Sequence, residues 1–419
     1  MTNNEGQSQT RDRTKARNMG IAFLTFAVAI AVLFVPATES GQQTTFTFNV
    51  TGGELVIVPD LVFPTRLGLF LLIAIDALLG IWQLIKGFRR LNLVLGVVAG
   101  IFVLAFLTWA ARDKSMNLTG MIQSTLLRAV PIALAALSGV LCERSGIVNI
   151  GIEGMMLTGA FMAALIGSVS DSRWLGLVAA LLAGGATSAL LAVLAIRYKV
   201  DQIVAGTAIT ILATGLTSYF SSRYLQPNAN LNSPDTFSPF ALPLLSKIPI
   251  VGPSLFNNTF VVYLTIILVF VIYVMLFYTR WGLRTRSVGE HPRAADTLGI
   301  NVFKVRYINV LLGGMTAGLG GAYLVLSSVA RFDELMTAGK GYIGLAAMIF
   351  GNWNPVGALG SSLIFGFADS LQTKLAIMRV PIPSQFLLMA PYLVTMIVLA
   401  GVVGRTRPPA ADGQAYEKE

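Results

Sequence analysis

Runs of about twenty apolar residues recur along this chain without a charge inside most of them, and a helix of that length matches the hydrocarbon thickness of a bilayer. The runs are continuous. A membrane β-barrel strand instead alternates apolar and polar residues over about ten positions. The chain therefore reads as an all-α polytopic membrane protein. Its 55% hydrophobic and 12% charged content agrees, since a soluble domain carries about twice that charged share. The net charge of +10 is not a nucleic-acid signature. Its positive residues gather in short loops between the apolar runs, as cytoplasmic loops do.

Several chemistries are excluded by count. One cysteine, Cys142, rules out an internal disulfide and a cysteine-rich metal site. One histidine, His291, leaves no cluster for zinc or haem, and a Ser/His/Asp set would have to use that same loop histidine. No cofactor motif appears. AGKGY at 338–342 lacks the Ser or Thr and the upstream spacing of a nucleotide-binding loop. If ATP drives this protein, another chain binds it.

Residues 1–18 are polar and basic, and read as a disordered cytoplasmic tail. The run at 19–35 reads as an uncleaved first span; a signal peptide is the competing reading. TTFTFNVTGGELVIV (44–58) alternates on both sides of Gly52-Gly53, suggesting an extracytoplasmic hairpin. Spans follow at 65–85 and 91–111. Asp76 lies inside the first of these and is expected to face protein and pack against a polar neighbour. From 117 the spans become rich in Gly, Ala and Ser, as in tightly packed bundles. They fall at 118–141, 147–168, 173–196, 201–220, 259–279, 307–329, 341–352, 356–373 and 385–403. The segment 341–352 is short enough to be a half-helix. The basic loops then place both termini in the cytoplasm. The domain plan is a tail (1–18), an N-terminal extension of about three spans with the hairpin (19–116), a main bundle (117–405) and a second cytoplasmic tail (406–419).

One polar island, 279–307, carries six basic residues against the acids Glu290 and Asp296. It predicts a helix of about two turns, with Pro292 in its first turn and Gly299 just past its end. Ala294, Ala295 and Leu298 are expected on one face. A helix so short is unstable alone and needs a groove to dock in, its small alanines allowing close approach and Arg293 reaching acids at the rim. The competing reading is a basic amphipathic loop lying on membrane lipids.

There is also an internal echo. IGIEGMMLTGAF (150–161) and AGKGYIGLAAMIF (338–350) each place glycine breaks before a small-residue apolar helix, and each is followed by a Trp and a Gly/Ala/Leu-rich span. Repeated halves with broken helices are common in transporters, with the substrate route between them. In this register Glu153 falls opposite Lys340, as symmetry-related positions that could also be neighbours. Asn149, Glu153, Lys340 and Asn352 are the candidate route residues. A secondary transporter would need several intramembrane charges for ion coupling, for which the chain offers mainly Asp76, Arg128, Glu153, Lys340 and Asp369.

The string ALSGVLCERSGIVNIGIEGMMLTGAF (136–161) resembles the opening signature of inner-membrane permeases of bacterial ABC importers, of the nucleoside and simple-sugar type that works with a basic-membrane-lipoprotein binding protein. GLRTRSVGEHPRAADTLGINV (282–302), GGMTAGLGGAYL (313–324) and GKGYIGLAAMIFGNWNPVGAL (339–359) agree with it, over roughly 117–405. The resemblance implies a type II-like permease bundle with two related halves, in the bacterial inner membrane, preceded here by an unusual extension. It implies three partners: a cytoplasmic ABC ATPase, a second and often non-identical permease subunit, and an extracytoplasmic substrate-binding lipoprotein. It makes 289–300 the coupling helix that seats on the ATPase, with Gly289, Pro292, Ala294, Ala295 and Gly299 forming it, and Glu290, His291, Arg293 and Asp296 filling the same segment. The wording favours nucleosides; ribose-like sugars or branched-chain amino acids are the alternative cargo.

Overall fold

The computed structural model describes residues 2–49, 58–380, 386, 389 and 407–418. The expected span 385–403 lies outside the described residues except at two isolated positions. Among the described residues, nine helices are long and apolar enough to cross a membrane. The chain divides into two compact units, Met1–Gly120 with Thr373–Leu387, and Met121–Gln372 with Leu388–Glu419.

The first unit holds α1 (Thr2–Leu33), α2 (Thr65–Ile85), α3 (Leu91–Ala110) and the strands β1 (Gln43–Thr47), β2 (Leu61–Pro64) and β3 (Ser115–Asn117). Residues 2–18, expected as a disordered tail, instead extend α1. The stretch contains no proline, and once the apolar run has nucleated a helix each added residue costs little. The expected hairpin is seen in its outer rungs. β1 pairs antiparallel with β2, from Gln43↔Pro64 to Phe46↔Leu61, and in parallel with β3 on its other edge. Val58 is tied to the Asn49 side chain by two hydrogen bonds of 2.8 and 3.0 Å, while the Gly52-Gly53 turn lies outside the described residues. Asp76 is buried, but neither carboxylate oxygen has a hydrogen-bond partner. The expected polar neighbour is missing because Asp76 shares a stripe with Gly80, and that stripe meets apolar α1 at Leu24.

The second unit contains most of α4 (Leu118–Glu143), then α5 (Ile152–Val169), α6 (Arg173–Ala192), α7 (Gln202–Phe220), α8 (Val251–Leu255), α9 (Phe260–Tyr278), α10 (Arg280–Glu290), α11 (Pro292–Thr297), α12 (Val302–Tyr323), α13 (Lys340–Phe350) and most of α14 (Pro355–Ile377). α6, α7 and α12 each end in a π-helical turn, an irregularity often found at functional sites. α5, α6 and α12 form the packed centre. A Cβ on Gly318 of α12 would lie 2.2 Å from the Ala180 carbonyl of α6, so the two backbones touch where only glycine fits. This is why the span sequences here are rich in small residues. α13 has 11 residues, about 16 Å at 1.5 Å per residue, too short to cross a hydrocarbon core of about 30 Å alone.

Candidate functional site

The polar island folds as a helix–turn–helix–turn. Thr279 caps α10, its hydroxyl accepting from Gly282 N at 3.2 Å. α10 buries Gly282, Thr285, Val288 and Gly289 on one side and exposes Arg280 and Arg284 on the other. At its end a Cβ on Gly289 would meet the Arg144 carbonyl at 2.3 Å, which accounts for glycine there.

α11 is the expected short helix, with Pro292 in its first turn and Gly299 left-handed (φ +81) just beyond. His291 caps it, Nδ1 accepting from Ala294 N at 3.1 Å. The helix is shorter than 289–300: Gly289 and Glu290 belong to α10, because His291 takes an extended conformation (φ −149, ψ 84) between the two. The expected face is corrected too. Ala295 is only 2% exposed and packs against Val288, Val302 and Tyr416, whereas Leu298 is 82% exposed and Ala294 is exposed with it. Residues four apart share a helix face and residue 295 points about 100° away. The outward face is therefore Ala294 and Leu298, and Ala295 anchors the helix to its own chain. Glu290 and Asp296 are engaged within the chain, Glu290 Oε2 accepting from Ala410 N at 3.2 Å and Asp296 lying 3.8 Å from Lys418 Nζ.

The candidate route residues separate into two places. Glu153 and Lys340 stand at the first turns of α5 and α13. They are neighbours, but the Glu153 carboxylate bonds backbone rather than ammonium: Oε1 accepts from Gly339 N at 2.8 Å and Oε2 from Gly341 N at 2.6 Å. A carboxylate at a helix N-terminus satisfies donors that have no partner inside the helix and complements its dipole. Lys340 Nζ is 3.4 Å from the Thr337 carbonyl and interacts electrostatically with Asp369, Glu153 and Arg128. Arg128 and Asp369 form an ion pair at 2.7 Å, about one-third exposed. Four charged side chains from α4, α5, α13 and α14 thus converge, a cluster that sequence spacing over more than two hundred positions did not reveal.

Asn149 and Asn352 lie elsewhere. Asn149 is fully buried, its Nδ2 near Cys142 Sγ at 3.4 Å and Met155 Sδ at 3.5 Å, with Oδ1 unpartnered. Asn352 sits in the α13–α14 turn with φ +55. Its carbonyl accepts from Arg144 Nη2 at 3.1 Å, and Arg144 Nε donates to the Trp353 carbonyl at 2.8 Å. Burial pushes the Arg144 guanidinium below its usual pKa, with Glu290 pulling the other way. Trp353 Nε1 donates to buried Glu143 Oε2 at 2.6 Å. Among the described residues no group of three or more His, Cys, Asp or Glu side chains could hold a metal ion.

A bundle of membrane-length helices, with the short part-length helix α13 and the capped six-residue helix α11 between longer ones, is the architecture of a transport permease. Residues 121–403 match the family described as the permease component of the branched-chain amino acid transport system, and the chain belongs to that family of ABC importer permeases. It is 41% identical over 315 residues to a guanosine ABC transporter permease protein of Bacillus subtilis, covering 73% of this chain and 99% of that one. It is 40% identical over 322 residues to a nucleoside ABC transporter permease protein of Lactococcus lactis, covering 72% and 99%. A putative glucose ABC transporter permease protein of Haloferax volcanii is 34% identical over 323 residues, covering 72% and 98%. No solved structure matches the chain. The chain is a multi-pass membrane protein and a transport component.

Proposed function

We propose that this chain is the transmembrane permease subunit of an ATP-driven importer for nucleosides or related small polar solutes. A separate cytoplasmic ATPase hydrolyses ATP and seats on α11, a second permease subunit completes the route, and an extracytoplasmic lipoprotein delivers the solute. The protein lies in the bacterial cytoplasmic membrane with both termini inside. The observation that carries the reading is α11 itself: a six-residue helix, capped at both ends, presenting Ala294 and Leu298 away from the chain. A helix about 9 Å long holds its shape only through its caps and the Ala295 anchor, so force applied at Leu298 passes into α10 and α12 as a rigid body. The Arg128–Asp369 pair and the Glu153–Gly341 contact then sit on the elements that reorganise between inward-open and outward-open states. The nucleoside assignment is favoured over a sugar because the two nucleoside-type relatives share 41% and 40% identity against 34% for the glucose-type one.

The test is uptake by proteoliposomes holding the permease pair, the ATPase and the lipoprotein, with the lipoprotein screened against nucleosides, free bases and pentoses. ATP-dependent nucleoside uptake supports the reading. Uptake driven by an ion gradient without the ATPase sinks it, and binding of pentoses alone moves the assignment to sugars.

A further inference from the structure

Residues 407–418 have no helix or strand, yet they are pinned along their length to the segments around α11. Arg407 N donates to Asn352 Oδ1 at 3.2 Å, reaching the α13–α14 turn. Ala411 N donates to the Gly289 carbonyl at 2.9 Å, and Ala410 N to Glu290 Oε2, at the end of α10. Arg306 of α12, 1% exposed, donates from Nη1 to the Gln414 carbonyl at 2.9 Å. Lys199, in the loop after α6, pairs with Glu417, and the Lys199 ammonium holds the Glu417 carboxyl below its usual range. Lys418 approaches Asp296 of α11. A segment without regular structure must satisfy its backbone through such contacts, and here they reach five separate elements.

Two side chains anchor it by burial. Ala411 is 4% exposed and Tyr416 5%. The Tyr416 ring packs on Phe303 at 5.3 Å between centroids and closes the cluster that holds Ala295. The inner side of α11 therefore rests partly on this segment. Between the two opens a cleft of about 560 Å³, with Glu290, His291 and Arg293 on one wall and Gln414, Ala415 and Glu417 on the other. Its walls mix acids, a cation and an amide, a lining suited to protein side chains and not to lipid tails. Arg293, on its wall, is the residue before Ala294 of the outward face.

We infer that residues 407–418 form a strap that completes the docking surface, so that the cytoplasmic ATPase grips α11 and the strap together across this cleft. The inference rests on the reading of α11 as the ATPase-coupling helix. Arg293 adjoins Ala294 in α11 and lines the cleft opposite Gln414, Ala415 and Glu417, so a partner that takes in Arg293 along with Ala294 is brought to the strap wall. The strap adds polar contacts that a six-residue helix lacks, and it ties α11 to the α13–α14 turn through Arg407 and Asn352.

The experiment measures the affinity of the purified ATPase for the full permease complex in nanodiscs. Three variants are compared with the natural protein: a stop after Arg407, Ala415→Trp, and Leu298→Glu. Ala415 is exposed on the cleft wall, so the indole fills the cleft while the Tyr416 anchor and the melting temperature stay as they were. The strap predicts a loss of about tenfold or more in affinity for Ala415→Trp and for the truncated chain. If the truncated chain fails to assemble, Ala415→Trp decides. Unchanged affinity in Ala415→Trp, or tighter binding after truncation as expected of an inhibitory cover, overturns the strap. If Leu298→Glu weakens binding while the strap variants do not, the strap alone fails. If Leu298→Glu also binds normally, the coupling reading of α11 fails with it.

Discussion

Replacing Glu153 by glutamine tests the junction between the two broken helices without changing its shape. In the native protein each carboxylate oxygen accepts one backbone N–H, from Gly339 at 2.8 Å and Gly341 at 2.6 Å. Hydrogen bonds to a charged group contribute about 1.5–3 kcal/mol each. Glutamine keeps one oxygen, now neutral, at about 1 kcal/mol. Its NH2 faces the other N–H as donor against donor and leaves that buried group unpaired. The loss sums to about 3 kcal/mol, or roughly 150-fold in the equilibrium that holds α13 against α5. The assay is equilibrium unfolding of the purified protein in mixed micelles, with Glu153→Ala as the larger reference change. The charge swap sharpens it. Glu153→Lys with Lys340→Glu should be no more stable than the worse single variant, because backbone N–H groups cannot be exchanged for a carboxylate. A cost for Glu153→Gln below about 0.5 kcal/mol, or rescue in the double variant measured as a cycle, refutes the assignment of the backbone as the partner.

Leu298→Glu should leave stability within about 0.5 kcal/mol while abolishing ATP-driven uptake, whereas Ala295→Leu should cost about 1–3 kcal/mol by overpacking the cluster with Val288, Val302 and Tyr416; paired melting and uptake measurements separate the two. Gly318→Val should prevent accumulation of folded protein, since even a Cβ there lies 2.2 Å from the Ala180 carbonyl; size-exclusion profiles after extraction read this directly. Strap docking should depend on pH through Asp412, whose carboxyl faces that of Glu143 on α4, with Arg306 on α12 as the nearby cation. Burial raises Asp412 from its ordinary 3.8 to about 6, and the Glu143 hydrogen bond, the Gly413 backbone and Arg306 draw it down only in part. The docked form thus holds the extra proton. Its contribution to docking is fully present below about pH 4 and is lost as pH rises through about 6. Hydrogen-exchange protection of the 408–418 peptide, corrected for intrinsic rate, should rise as pH falls from 7 to 5, and Asp412→Asn should flatten the profile.

Much of this protein was legible in its sequence where the determining physics is local. Apolar run length specified membrane helices, since a backbone in hydrocarbon has to satisfy itself segment by segment. Pro292 and Gly299 marked the limits of α11 because φ preferences act at single residues. Small-residue content announced tight helix packing, which Gly318 against Ala180 shows at one crossing; which helices cross was not legible. Other features were set by contacts between distant positions. Ala295 turned inward because Tyr416 lies over it, although both alanines of the pair look alike in sequence. Glu153 met Gly341 and not the Lys340 side chain, and Arg128 found Asp369 across 241 positions. The tail at 406–419 read only as a polar end, while residues 407–418 became a strap because Arg306 and Gly289 offered it partners. Sequence by itself determined the membrane-length helices from 65 to 329 and the capped ends of α11, because chain sterics and the bilayer act on each segment alone; it did not show that residues 2–18 would extend α1. Which charges meet, and which face of α11 remains free, was decided only by tertiary packing, because burial and pairing depend on neighbours that the chain brings together from hundreds of residues apart.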